Sequence, residues 1–313
     1  MITSIFSKSK PINFLIVFVL TFLAFIIVKY QYVQLPVTTL FMAEQVVTYL
    51  IFYFSILLLN FIASKNDLTL KNNFEILLYS LFLLLIPESL LSSKVIWSNF
   101  FILLALRRLI SLRSKKNVKT KLFDASLLIG LASLFYFWSL LFFGLIPIVL
   151  LFYSNNNIKH WIIPFLGLAT VLVLTISVSI VLYNDYWSLL NSNYYVGFNF
   201  STYNTFQFLV GLTLLFSFGA WATFYYLSSF KKKMRNIRPT FKTIFVVLII
   251  ALIIIVIAPK KNGSEFLFLF APLAIIITNY IEIIKEKWFK ELFFGVLLFT
   301  PFILLLLQFF TES

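Results

Sequence analysis

The chain has 313 residues, of which 61% are hydrophobic, 19% aromatic and only 12% charged, with a mean hydropathy of +1.00. A soluble domain carries about 25% charged residues, so this composition excludes the soluble classes and marks an integral membrane protein. The formal charge of +14, from 25 Lys+Arg against 11 Asp+Glu, would suggest nucleic acid in a soluble chain; in a membrane chain its distribution sets orientation, and no nucleic-acid partner is expected.

Cysteine is absent and His160 is the only histidine. The chain therefore has no material for disulfides, thiolate nucleophiles or zinc clusters. Its glycines never approach a dinucleotide or P-loop spacing, so ATP-driven chemistry would require a separate subunit.

A helix crossing the hydrocarbon core needs about 20 largely apolar residues. In chain order the apolar runs are Pro11 to Val28, Val46 to Ile62, Phe74 to Ile86, Val95 to Leu106, Asp124 to Tyr136, Leu140 to Tyr153, Trp161 to Leu182, Phe206 to Leu227, Ile244 to Ala258, Phe266 to Ile281 and Leu292 to Phe310. These runs predict an all-α, polytopic transmembrane bundle of about eleven helices. The first begins on Pro11, which suits a first helical position, and no small-residue cleavage site follows it, so it reads as a retained anchor.

Loop charge tests the count. With a cytoplasmic N-terminus, 21 Lys+Arg fall on the inner side and 4 on the outer side, which sums to the 25 in the chain. The asymmetry is that of the positive-inside rule and predicts a multi-pass protein with its C-terminus outside; the excess of Lys over Arg and the abundance of Asn, Ile and Phe suggest an AT-rich prokaryotic gene and hence the bacterial inner membrane. Its two strongest contributors, Arg107 to Lys121 and Lys231 to Lys242, must share a side, so the number of crossings between them is even. That parity splits the uncharged stretch after Asp124 near Phe137 to Ser139 into two short helices. It likewise makes Phe74 to Ile86 and Val95 to Leu106 a hairpin around Pro87 and Glu88. Two consecutive short hairpins leave irregular backbone at membrane depth, tolerated where protein or a water-filled cavity surrounds it. A cavity open to the outer face is the expectation.

The chain then divides into a module with two short-helix hairpins (residues 1–182), an aromatic outer loop (183–205) and C-terminal transmembrane helices (206–313).

Charged groups inside a membrane are costly and usually functional. Glu44, just before the second helix, and Glu88, at the first hairpin tip, are the candidate catalytic acids facing the cavity. A carboxylate there can take a proton from an acceptor hydroxyl or help hold a divalent cation against a pyrophosphate; hydrated acids at helix ends are the simpler reading. Lys94, Lys260 and Lys261 lie outside, where positive charge is scarce, and are candidate phosphate contacts. The loop YNDYWSLLNSNYYVGFNFSTYN interleaves rings and amides, a mixture that binds sugars, which makes Trp187, Tyr194 and Tyr195 candidate substrate contacts. Aromatic residues also collect at membrane interfaces without binding anything. Ser126, Gly130 and Ser133 form a small-residue stripe suited to helix packing.

The stretch LRRLI (Leu106 to Ile110), a basic linker, FDASLLIGLASLFYFWSLLFFGLIPIVLLF (Phe123 to Phe152) and a new helix at Trp161 resemble the middle of the C-type glycosyltransferase (GT-C) fold. The likeness covers about Pro11 to Leu182. The chain as a whole is more similar to an uncharacterised multi-pass membrane family of Bacteroidota, whose members begin much like MITSIFSKSKPINF. The first resemblance implies transfer of a sugar from a polyprenyl-phosphate donor at the outer leaflet. It also implies a catalytic Asp in the first outer loop, where VKYQYVQLPVTTLFMAEQ has none and Glu44 alone is placed to take the role. Three function classes are thus compatible with the sequence: such a glycosyltransferase, a non-catalytic scaffold or accessory subunit binding an envelope protein, and a transporter or lipid flippase.

Overall fold

The computed structural model describes residues 2–32, 38–153, 157–189 and 195–311. Among them are twelve α-helices and no strand: α1 (Ile2–Phe6), α2 (Pro11–Tyr32), α3 (Thr39–Lys65), α4 (Phe74–Leu85), α5 (Ser93–Ile110), α6 (Val118–Phe135), α7 (Leu145–Phe152), α8 (Ile158–Tyr183), α9 (Phe206–Ser229), α10 (Arg238–Ile257), α11 (Leu267–Ile283) and α12 (Lys287–Thr311). Seven segments are long and apolar enough to cross a membrane: Pro11–Lys29, Thr39–Lys65, Ser93–Ser114, Ile158–Tyr183, Phe206–Lys232, Arg238–Ile257 and Ser264–Ile283. The protein is an all-α, multi-pass membrane protein.

Local chemistry sets several of the helix starts. Pro11 opens α2, where its missing N–H costs nothing. Thr38 caps α3 by accepting from the backbone N–H of Phe41 at 3.2 Å, and Asn157 and Thr205 cap α8 and α9 in the same way. Each cap supplies an acceptor to an otherwise unpaired first-turn N–H.

Both stretches expected as hairpins contain 3₁₀ segments. α4 has 12 residues and rises about 18 Å, short of a core about 30 Å thick. It ends in the 3₁₀ turn Pro87–Leu90. In the second stretch α6 ends at Phe135, and Phe137–Gly144 is a 3₁₀ segment leading into the short α7.

The chain folds as two compact units, each assembled from separate stretches. The first comprises Met1–Ser92, Asn199–Lys232 and Lys261–Ser313. Its centre is α4 against α11, with α2, α3 and α12 packed on α4 and α9 on α11. Every residue of α4 and of Pro87–Leu90 is buried, as is all of α11 from Leu267 to Ile281. A helix that is apolar all round is expected inside a bundle, and α4 and α11 satisfy that pattern. Gly211 lets α9 approach the end of α4: a Cβ there would stand 2.8 Å from the carbonyl oxygen of Leu85.

The second unit comprises Ser93–Phe198 and Lys233–Lys260. There α6 packs against both α5 and α8. The small-residue stripe lies on these contacts, since a Cβ on Gly130 would stand 3.0 Å from the Val171 side chain and one on Gly167 would run into Ser126 Oγ. Ser98 Oγ donates to the Ala132 carbonyl at 3.0 Å, which also accepts from the N–H of Tyr136 where α6 ends.

Candidate functional site

The first unit gathers buried polar groups at the end of the α4–α11 pair where α4 stops and α11 begins. The 3₁₀ turn Pro87–Leu90 packs against a second one, Ser264–Phe266. Between Lys261 and that second turn, Gly263 adopts φ +89°, a left-handed conformation that glycine enters without a Cβ penalty. Its neighbourhood is tight: a Cβ would stand 2.8 Å from Phe208 Cζ and 2.9 Å from Glu88 Cβ. Glu88 is 6% exposed, Glu265 1% and Lys261 5%.

Side chains from three segments fix the site. Tyr203, in the 3₁₀ turn Ser201–Asn204, donates its hydroxyl to Glu265 Oε1. Its ring packs against Phe200, Phe208 and Phe266. Lys261 Nζ sits over the Phe200 ring, 4.6 Å from its centre, an arrangement in which the ring face attracts the ammonium. Burial pushes the Lys261 ammonium below its ordinary 10.5, and the charge of Glu265 opposes that shift. Asn262 Oδ1 accepts from the N–H and the hydroxyl of Ser264 at 3.2 and 2.6 Å, closing the loop between them.

Two wholly buried polar atoms here, Glu265 Oε2 and Ser89 Oγ, take no hydrogen bond from the protein. Burying such atoms unpaired costs about 1–3 kcal/mol each.

An apolar groove of about 670 Å³ runs between α2 and α3, lined by Phe18, Phe22, Phe25, Phe41, Met42 and Tyr49 among others. Lys29 borders it and donates from Nζ to the carbonyl of Leu91 at 3.2 Å. The N–H of Leu91 in turn bonds the carbonyl of Glu88. Lys29 thus joins the groove to the segment that holds Glu88.

A family model described as a family of unknown function, DUF6427, matches residues 1–312. The chain belongs to the DUF6427 family. No curated protein and no solved structure matches it.

The residues singled out in this DUF6427 sequence fall into separate places. Glu88 and Lys261 flank Gly263 in the first unit. Glu44 is exposed on α3, and its charge acts on Lys29. Lys94 and Lys260 are exposed residues of the second unit, as are Trp187, 66% exposed, and Tyr195, 54% exposed. Trp187 lines a small apolar pocket with Gly130, Ser133, Phe137 and Leu172. Tyr194 lies outside the described residues. Among the described residues no group of three or more His, Cys, Asp or Glu side chains gathers to hold a metal.

Sequence reasoning passed over Lys29, Tyr203 and Glu265 as site residues. Glu265 had a signal, being an acid at the start of an otherwise uncharged apolar run. Tyr203 had none, because its role depends on a contact 62 positions away.

Proposed function

We propose that this protein transfers a sugar from a polyprenyl-phosphate donor at the outer face of the bacterial inner membrane, in the manner of a GT-C-like enzyme. One observation carries the reading: Lys29 borders an apolar groove and also bonds the backbone beside buried Glu88. An isoprenoid tail suits the groove, its phosphate suits Lys29, and the sugar then reaches the Glu88–Gly263–Glu265 region. The loop charge supports the orientation, because Lys29 and Lys261 belong to the sparse set on the outer side.

In the reaction an acceptor hydroxyl oxygen bonds the anomeric carbon while the bond from that carbon to the phosphate oxygen breaks. The phosphate leaves with the electron pair, and its growing charge is offset by Lys29 and Lys261. Glu88 takes the acceptor proton. Glu265, held by Tyr203, accepts from a sugar hydroxyl through its unpartnered oxygen.

The test is a reconstituted transfer assay with a polyprenyl-phosphate sugar, run on wild type, Glu88→Gln and Lys29→Met at equal membrane levels. Loss of a general base costs about 10²–10⁴-fold in rate, and Lys29→Met raises KM for the donor. Wild-type rates in both variants would defeat the enzyme reading. Co-purification of an envelope protein with an inactive wild type would replace it with the scaffold reading.

A further inference from the structure

The positive charge of the chain is concentrated in its second unit. Ser93–Phe198 and Lys233–Lys260 carry 14 Lys and Arg residues against two acids, whereas the first unit carries 11 against nine. Twelve of the 14 fall in three stretches: seven from Arg107 to Lys121, then Lys159, and four from Lys233 to Lys242. Of the two acids, Asp124 pairs with Arg108 at 3.2 Å, and Asp185 follows the far end of α8.

Packing brings the three stretches to one end of the unit. The hydroxyl of Tyr153, at the end of α7, lies 3.4 Å from both the carbonyl oxygen of Ile110 and the hydroxyl of Thr240. Ile110 closes α5, and Thr240 stands in the first turn of α10. Lys121, in the first turn of α6, donates from Nζ to the Ser111 carbonyl at 2.6 Å. α8 starts at Ile158, five residues beyond Tyr153.

Much of this charge faces outward. Lys115, Lys116, Lys119, Lys159, Arg235 and Lys242 are exposed, and Lys242 Nζ lies 5.5 Å from the centre of the Phe152 ring. The apolar side chains of Leu151, Ile158 and Trp161 are exposed at the same end. Tryptophan settles at the level of lipid headgroups, so Lys159, between Ile158 and Trp161 in the chain, stands where phosphodiesters are. Orientation requires only a bias in Lys and Arg between the two sides and not their gathering in one unit. Charge of one sign gathered in this way repels itself, and an anionic partner relieves the repulsion.

We propose that this end of the second unit binds anionic phospholipids of the inner leaflet, with Lys116, Lys119, Lys159, Arg235 and Lys242 on headgroup phosphodiesters and Leu151, Ile158 and Trp161 on the acyl chains. Loop charge assigns this end to the cytoplasmic side, where anionic headgroups attract juxtamembrane cations. The site is independent of the transfer reaction proposed above, which uses residues of the first unit.

The test uses the full chain reconstituted in phosphatidylcholine bilayers with a trace of spin-labelled phosphatidylglycerol or spin-labelled phosphatidylcholine. The motionally restricted fraction of each label gives their relative association. One cation near an anionic leaflet strengthens association about fivefold, so we expect phosphatidylglycerol to be preferred by about that factor or more. The preference should vanish on raising salt from about 0.1 to about 1 M, as the screening length falls from about 10 to about 3 Å. It should fall several-fold in the triple variant Lys119→Gln, Arg235→Gln, Lys242→Gln, and persist in Lys94→Gln with Lys260→Gln, exposed residues at the opposite ends of α5 and α10. The salt titration of the wild type remains informative if the triple variant does not fold. Equal association of the two lipids with the wild type overturns the proposal, as does a preference that survives high salt or the triple substitution. An equal fall in the Lys94→Gln, Lys260→Gln variant also overturns it, since the charge would then act through the chain as a whole. Equal lipid association, with an acidic protein held by the wild type and released by the triple substitution, would put a protein partner in place of the lipid.

Discussion

Gly263 lies directly against Glu88: a Cβ built on the glycine would come within 2.9 Å of the glutamate Cβ. The contact joins two turns separated by more than 170 positions in the chain. Since Gly263 also holds a left-handed φ, both its conformation and its lack of a side chain are required.

Gly263→Ala should therefore destabilise the protein for two separate reasons, backbone strain and overpacking against Glu88 and Phe208. Overpacking alone costs about 1–3 kcal/mol. Thermal unfolding measures the sum. A stability within error of the wild type would show that the two turns separate freely.

Lys261 gives a pH dependence whose sign can be worked out. Its folded-state pKa lies below 10.5, so between that value and 10.5 the unfolded chain binds a proton that the folded chain does not. Stability then rises with pH through this window and is independent of this group below it. Subtracting the unfolding free energy of Lys261→Met from that of the wild type at each pH should leave that rise, and parallel curves would refute it.

In the second unit, Gly167→Ala should destabilise the α6–α8 contact, because the added Cβ meets Ser126 Oγ and comes within 2.9 Å of the Phe123 carbonyl oxygen. We expect a loss of about 1–3 kcal/mol. Ser126→Ala in the same chain removes the side-chain half of the clash and should recover part of the loss. A double-mutant cycle measures the coupling, and strict additivity would show that the two positions do not meet.

The class of the protein was legible in its sequence for a simple reason: twenty apolar residues in a row have few other uses. The break near Phe137 followed from charge parity, and the 3₁₀ segment Phe137–Gly144 lies there. The 3₁₀ form itself was not legible, since nothing in FWSLLFFG distinguishes it from helix. Glu88 and Lys261 could be picked out as scarce charges near expected helix ends. Their connection through Gly263 could not, because it depends on a backbone angle and on packing between distant segments.

Orientation can be tested directly, because the chain has no cysteine of its own and each introduced thiol is unique. Lys94 and Lys260 are exposed and belong to the segments that loop charge assigns to the outside; Lys116 and Lys287 are exposed and belong to the basic segments assigned to the inside. Single substitutions of each to cysteine are conservative in packing, since none of these side chains is buried. A membrane-impermeant maleimide added to intact cells should label Lys94→Cys and Lys260→Cys at once, and the other two only after permeabilisation. The pattern matters beyond topology. Lys260 adjoins Lys261 and Lys94 closely follows the Glu88 turn, so labelling from outside places the Glu88–Gly263–Glu265 region toward the outer leaflet, where a polyprenyl-phosphate sugar would be met. The opposite pattern would put the Lys29 groove on the cytoplasmic side and exclude a donor presented from outside.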